Sequence, residues 1–319
     1  MSLVKKNFLI IKHGALGDFI LSFGPFKAIR QHHPNDNLIL LTNSAFKEFA
    51  EESNYFDEII IDDRPSFWKI KKIYKLAKLL RKKDFTRIYD LQTSQRSSFY
   101  YNFFRINKKK VEWSGTALGC THPDQNPERN KIHTIERHKL QLAEIGIKKI
   151  KLSDLSWVKA SNNFKIKKPY VLFSPAAASH RRKKKWPEIN YVKIAKKFLN
   201  QGITPIILGG YEDQITANFI CMNANGCLNL VNKTTIQDLC YLARGATLAI
   251  GNDTGPMHAF TMSGCNSLVL FSSDSNPIRC APRPFNKKKK VEIIQKKDLR
   301  DLSVEEVLNS LRNNFGYEL

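Results

Sequence analysis

Acidic residues are scarce in this chain. Across 319 residues, 29 Asp and Glu stand against 52 Lys and Arg, giving a formal charge of +23. Such a surplus favours anionic partners, whether nucleic acid, an anionic membrane surface or phosphorylated substrates, without choosing among them. Cysteine is thin as well. Its six copies, Cys120, Cys221, Cys227, Cys240, Cys265 and Cys280, form no C-x-x-C pair. That argues against a disulfide framework and fits a reduced, cytosolic compartment. Metal-ligand patterns are missing too. There is no H-E-x-x-H, and Cys120-Thr121-His122 supplies too few of the four ligands that zinc takes. His133 and His138 are five apart and do not share a helix face. Long apolar runs are absent. Phe8–Ile11, after Lys5-Lys6, is too short for a signal peptide, and no segment approaches the length of a membrane span. The chain reads as soluble, or at most as resting on a membrane surface. Neither the G-x-G-x-x-G dinucleotide fingerprint nor the G-K-[ST] of a P-loop occurs.

What is present is a rhythm. Hydrophobic residues make up 42% of the chain, enough for real cores, and the length suits about two domains. Short apolar runs at Phe8–Ile11, Leu38–Leu41, Glu58–Ile61 and Arg87–Leu91 alternate with helical segments over 19–30, 46–51 and 68–83. Residues 151–169 lose this pattern and read as a linker. The alternation restarts with strands at Tyr170–Ser174, Thr204–Leu208, Cys227–Leu230, Thr247–Ile250 and Ser267–Phe271. Ser303-Val304-Glu305-Glu306 is a capping box that starts a last helix. Strand–helix alternation predicts an α/β protein with parallel sheets covered on both faces, and ligands at the carboxyl ends of the strands.

Three loops at such ends carry chemistry. Gly14-Ala15-Leu16-Gly17-Asp18 follows the first strand. Asp18 reads either as a helix cap or as a carboxylate able to act as a general base. Ser174–Pro187 leaves the first strand of the second half with small residues, five consecutive cations at 181–185, and then Trp186-Pro187. A cation there can neutralise a diphosphate, or the run is a solvated face. Ile250–His258 joins a strand to a helix start, where backbone N–H groups make a ready phosphate site. Pro256 suits the first helical turn. Asp253 and Thr254 also read as plain caps, and His258 as a core histidine.

In combination, Gly-x-x-Gly-Asp after the first strand, Lys-x-Trp-Pro, and Asp-Thr-Gly-Pro-x-His resemble glycosyltransferase family 9, which contains the ADP-heptose:lipopolysaccharide heptosyltransferases. The resemblance covers nearly the whole chain. It implies a GT-B fold, two Rossmann-like domains facing a central cleft. The boundaries expected are 1–160 for an acceptor-side domain, 161–300 for a nucleotide-sugar domain, and 301–319 for a helix packing back toward the first domain. It implies no metal and no cofactor. Asp18 becomes the general base. Ser179, Lys184, Glu212, Asp253, Thr254, Gly255 and His258 become donor residues. Lys184 is then the cation on the diphosphate, and Glu212 the acid that meets the ribose. On the acceptor side stand Arg64, Arg96 in Asp90–Ser97, and His133 and Arg137 in the segment 133–137. The implied partners are a nucleotide-sugar donor such as ADP-heptose and a lipid-linked acidic saccharide at the cytoplasmic face of an anionic inner membrane. The basic stretch 68–83 is either a surface for that membrane or a helix packed on the sheet. Departures from the family are Pro175-Ala176-Ala177 in place of Pro-Gly-Ala, and the bulky Phe260-Thr261-Met262 after His258. Two alternatives stay open. One is a non-catalytic or epimerase-like sugar-nucleotide binder. The other is a nucleic-acid binder, disfavoured because Lys287–Lys290 has no interleaved aromatics for stacking.

Overall fold

A computed structural model describes residues 5–105, 111–152, 154–175 and 181–319. The chain divides into two compact units, Met1–Ser153 and Asp154–Leu319. The first holds strands β1 (Asn7–Ile11), β2 (Asn37–Thr42), β3 (Glu58–Ile61), β4 (Phe85–Asp90), β5 (Glu112–Gly115) and β6 (His122–Pro123). The second holds β7 (Tyr170–Ser174), β8 (Thr204–Ile207), β9 (Leu228–Asn229), β10 (Leu248–Asn252), β11 (Ser267–Phe271) and β12 (Val291–Gln295). The spatial orders are β3-β2-β1-β4-β5-β6 and β12-β11-β10-β7-β8-β9, with every pairing parallel. Counted within each unit, both are the order 3-2-1-4-5-6. The order in which successive strands are laid down reverses between β1 and β4 in one sheet and between β7 and β10 in the other, and such switch points open a ligand crevice at the strand ends.

The sequence explains which strands lie at the centre. Leu9, Ile10 and Ile11 of β1, and Leu268, Val269, Leu270 and Phe271 of β11, are fully buried, as parallel strands covered on both faces require. β5, β6 and β12 were not anticipated. Glu112-Trp113-Ser114-Gly115 is too short and mixed to announce itself. β12 is an edge strand whose first four residues are only half-buried. The helix expected over 19–30 is two helices, Leu16–Leu21 and Phe23–His32. The break lies at Ser22, whose hydroxyl donates to the Asp18 carbonyl at 2.7 Å, and Pro25 has no N–H with which to continue the first helix.

The presumed linker is packed structure. Leu155 and Val158 are buried, and their carbonyls accept from Arg244. The backbone N–H groups of Ser161 and Asn162 donate to Asp238 at 2.8 and 2.9 Å. Polar composition hid this because the contacts are hydrogen bonds to the helix Ile236–Gly245 more than apolar burial. The last helix, Val304–Phe315, starts with both bonds of the Ser303–Glu306 capping box. It belongs to the second unit, where Val307, Leu308 and Leu311 join the core with Phe198 and Leu270.

Candidate active site

In the first unit the loop after β1 and the loop after β4 meet at the switch point. Gln92 clamps them. Its side-chain oxygen accepts the His13 N–H at 2.9 Å, and its amide donates to the Gly14 carbonyl at 3.0 Å. Gly14 has φ +99°, and an added Cβ would lie 2.5 Å from the Phe46 ring, so this turn admits no side chain. Phe46 stacks on Phe19 at 4.4 Å, and Phe19 also packs edge-on against Phe23 and Phe26. This aromatic cluster fixes the helix Leu16–Leu21. Asp18, the neighbour of buried Phe19, is half-buried. It is not the cap: Ala15 takes the N-cap position, and Asp18 lies in the first turn, where a carboxylate is favoured by the helix dipole.

Around this loop lies a buried polar network. Lys12 is 3% exposed, donates to the Leu91 carbonyl at 3.1 Å, and has its pKa lowered by burial, opposed chiefly by the Asp18 charge. His13 Nε2 meets Asp62 at 2.9 Å, Tyr100 donates to the same carboxylate, and Arg96 Nε donates to Tyr100 at 2.7 Å. Burial pushes Asp62 up, but the His13 and Tyr100 bonds outweigh it and hold the carboxyl below its usual range. Asp90 ends β4. Burial pushes its pKa up to about 6, against the Thr93 and Gln92 N–H bonds and the charge of Lys12. Burial drives His138 well below its ordinary value, and its Nε2 faces the Leu91 carbonyl at 3.3 Å, the arrangement of a neutral ring donating N–H. Gln141 donates to the carbonyls of Asp90 and Ser114, tying the helix Thr134–Ala143 to the sheet.

The acceptor-side candidates take distinct places. Arg96 joins the network through Tyr100 and also donates to the Pro65 carbonyl at 2.7 Å. Arg64 is exposed after β3, at φ +52°, its N–H held by Asp62 at 3.0 Å. His133 caps the helix Thr134–Ala143, its Nδ1 accepting the Ile135 N–H at 3.1 Å, and Arg137 donates to Thr134 Oγ1 at 2.6 Å. Lys12, His13, Asp62, Asp90 and Tyr100 were missed. The one available signal was Lys12-His13 directly after a wholly apolar strand.

In the second unit the loops after β7 and β10 meet in the same way. Of the cations Arg181–Lys185, Lys184 alone is buried, turned inward by the 3-10 turn Arg182–Lys184 and anchored by Trp186, whose indole donates to the Leu302 carbonyl at 2.9 Å. Lys184 Nζ lies 2.5 Å from Asp253 Oδ2, and Ser275 donates to the same oxygen at 2.6 Å. The two expected donor residues therefore meet each other. Thr254 is the N-cap of the helix Gly255–Met262 but makes no side-chain cap; its hydroxyl faces Ser174 at 3.1 Å instead. Asn252 is held by the Tyr191 hydroxyl and the Pro175 carbonyl at 3.0 and 2.8 Å. Gly251 permits this crowding, since an added Cβ would lie 2.7 Å from both Met257 Sδ and the Ser174 carbonyl. His258 is buried one turn into the helix. Glu212 is exposed after β8, in a turn where Asp213 and not Glu212 accepts the Gly210 N–H. Ser179 lies outside the described residues. Among those residues no group of three His, Cys, Asp or Glu comes together to hold a metal ion.

The profile of glycosyltransferase family 9 (heptosyltransferase) matches residues 73–309, about three quarters of the chain. The chain belongs to glycosyltransferase family 9. This glycosyltransferase is 22% identical over 303 residues to lipooligosaccharide heptosyltransferase 2 of Haemophilus ducreyi, covering 86% of this chain and 85% of that one. Its fold matches a family 9 glycosyltransferase of Veillonella parvula at TM-score 0.79 and 17% identity, with 98% of each chain covered. It also matches the ADP-heptose lps heptosyltransferase II of E. coli at TM-score 0.75 and 19% identity, covering 96% of this chain and 98% of that one. The two parallel six-stranded sheets with flanking helices are thus the GT-B fold.

Proposed function

We propose that this glycosyltransferase moves a heptose from ADP-heptose to a lipid-linked, phosphorylated saccharide at the cytoplasmic face of an anionic membrane, by inversion and without a metal. The observation that carries the reading is the pairing of chemistries at the two switch points. A half-buried carboxylate, Asp18, stands at one, and a buried cation, Lys184, beside a helix start without a side-chain cap stands at the other. Asp18 takes the proton of the acceptor hydroxyl as that oxygen attacks the anomeric carbon. The bond from that carbon to the diphosphate oxygen breaks, and its electron pair leaves with ADP. The departing charge falls on Lys184 and on the N–H groups of Thr254 and Gly255, a preorganised site of the kind that supplies the largest share of many rate enhancements. Asp253, which holds Lys184 before the donor arrives, faces the donor sugar; His258 supports the same loop, and Glu212 meets the ribose. Ser179 lies on the phosphate side. Arg64, Arg96, His133 and Arg137 meet the acidic groups of the acceptor, where planar guanidinium forks suit carboxylate and phosphate.

Thermal shift with ADP, UDP and GDP tests the donor: ADP alone stabilises, and stabilisation by UDP or GDP without ADP overturns the assignment. Product analysis with ADP-heptose tests the reaction, since ADP release should require acceptor and survive EDTA. ADP release without acceptor or loss of activity in EDTA removes the corresponding part.

A further inference from the structure

We propose that the segment 67–78 and the end of β3 form a docking surface for an anionic phospholipid bilayer. The helix Ile70–Arg81 turns Leu76, Ala77 and Leu80 into the first unit's core. The side turned away carries Lys71, Tyr74, Lys75 and Lys78, and the chain leading into it carries Phe67, Trp68 and Lys69. Here the apolar residues are outside. Trp68 is 91% exposed, Ile70 72% and Tyr74 63%. A tryptophan left almost bare beside other large apolar groups marks a contact surface and not a folding core. Tryptophan and tyrosine suit the boundary between headgroups and acyl chains, and lysine stems lie along apolar surface while their ammonium groups reach phosphate.

Charge decides the occupant. Lys69, Lys71, Lys72, Lys75 and Lys78 are exposed, and among the described residues none of them forms a salt bridge. The facing acids are engaged. Asp62 holds His13 and Tyr100, and Asp63 accepts the Ser44 N–H at 2.8 Å, with Lys72 acting on its charge. Glu58 pairs with Lys83. Between β3 and the helix runs a groove of about 760 Å³, lined by Ile61, Pro65, Leu76 and Leu79, by the engaged carboxylates Asp62 and Asp63, and by Lys69, Lys72 and Lys75. Its two carboxylates are hydrogen-bonded within the protein, which leaves three exposed ammonium groups beside apolar side chains, a complement to an anionic lipid. The surface is continuous with the acceptor side, because the Arg96 guanidinium lies 4.8 Å over the Phe67 ring. The lipid-linked acceptor of the proposed function gives the surface its purpose, while vesicle binding is measured without donor or acceptor.

The experiment is sedimentation of the full chain with vesicles of phosphatidylglycerol and phosphatidylcholine against phosphatidylcholine alone, with tryptophan emission recorded. Binding to the anionic vesicles is expected, weakened by salt. Emission should shift to the blue through Trp68, since Trp113 and Trp186 are fully buried and Trp157 half-buried, and Trp68→Phe should remove most of that shift. Trp68→Ala with Ile70→Ala should lower partitioning by well over tenfold, since Ile70→Ala alone withdraws three carbons from lipid. Each of Lys69→Ala, Lys72→Ala and Lys75→Ala should lower it about fivefold. Equal partitioning into both vesicle types, unchanged emission, or variants that bind like the parent protein overturn the proposal. So does a self-association lost in Trp68→Ala without vesicle binding, which would make a second copy the occupant. ADP affinity by calorimetry separates the two readings: a parent protein that binds ADP but not the anionic vesicles removes this surface and leaves the transferase reading standing.

Discussion

The two units share a strand order and differ in how they treat charge. The first keeps Lys12, His13, Asp62, Asp90 and His138 buried behind its switch point, with Tyr100 and Gln141 among them. Burial and hydrogen bonds displace the proton affinities of Lys12, Asp62, Asp90 and His138 from their ordinary values. The second sets the buried ion pair Lys184–Asp253 at its switch point, with the Ser275 hydroxyl on the same carboxylate, beside the backbone of a helix start. One sheet order therefore carries two kinds of site. A densely titratable cluster suits proton removal and recognition of varied acidic groups. A fixed cation beside a helix N-terminus suits a diphosphate whose charge does not vary.

The largest test of that division is Asp18→Asn. It should lower kcat about a thousandfold, within the range for loss of a general base, while calorimetry finds ADP affinity unchanged. Normal turnover would leave the first unit without its proposed chemical role. Next is Lys184→Ala, which strands Asp253 in the interior. It should cost about 3 kcal/mol in denaturant unfolding and weaken ADP binding about tenfold. Lys183→Ala and Lys185→Ala, both exposed, should stay within about 0.5 kcal/mol of the parent. Equal effects at all three would return the cation run to a solvated face.

The third test is pH. The folded Asp90 pKa of about 6 exceeds the ordinary 3.8, so the native state holds the proton more tightly than the unfolded chain. That contribution is fully present below about pH 4 and is lost as pH rises through about 6, a swing of ~3 kcal/mol. Asp62, held below its usual range, acts in the opposite sense, with stability present above the ordinary carboxylate pKa and lost as pH falls. Asp90→Asn should remove the fall between pH 4 and 6 in equilibrium unfolding; an unaltered profile would place the titration elsewhere. A smaller effect than those of Asp18, Lys184 and Asp90 is expected from Gly251→Ala. Its Cβ meets the Ser174 carbonyl and Met257, so β10 must shift against β7, at ~2 kcal/mol in unfolding and with a modest loss of ADP affinity.

How much of this was legible in the sequence follows from local and non-local causes. Central parallel strands are continuous apolar runs, so β1, β2, β7, β10 and β11 could be read directly, and with β1 and β10 the loops that hold Asp18 and Asp253. Whether Asp18 was a cap could not be read, because that depends on Ala15 taking the N-cap position. Nor does spacing distinguish Lys184 from Lys183, since one 3-10 turn and the Trp186 anchor decide which lysine points inward. The Asp62–His13–Tyr100 cluster joins residues 38 and 49 positions apart, a juxtaposition only the sheet order supplies.

The indole bond from Trp186 to the Leu302 carbonyl has a practical consequence. It fastens the loop of Lys184 to the residue just ahead of the last helix, 116 positions along the chain. A fusion or truncation that disturbs the C-terminal helix should be felt as altered nucleotide affinity, although no residue of that helix is proposed to touch the nucleotide. Tags for purification or immobilisation therefore belong at the other end.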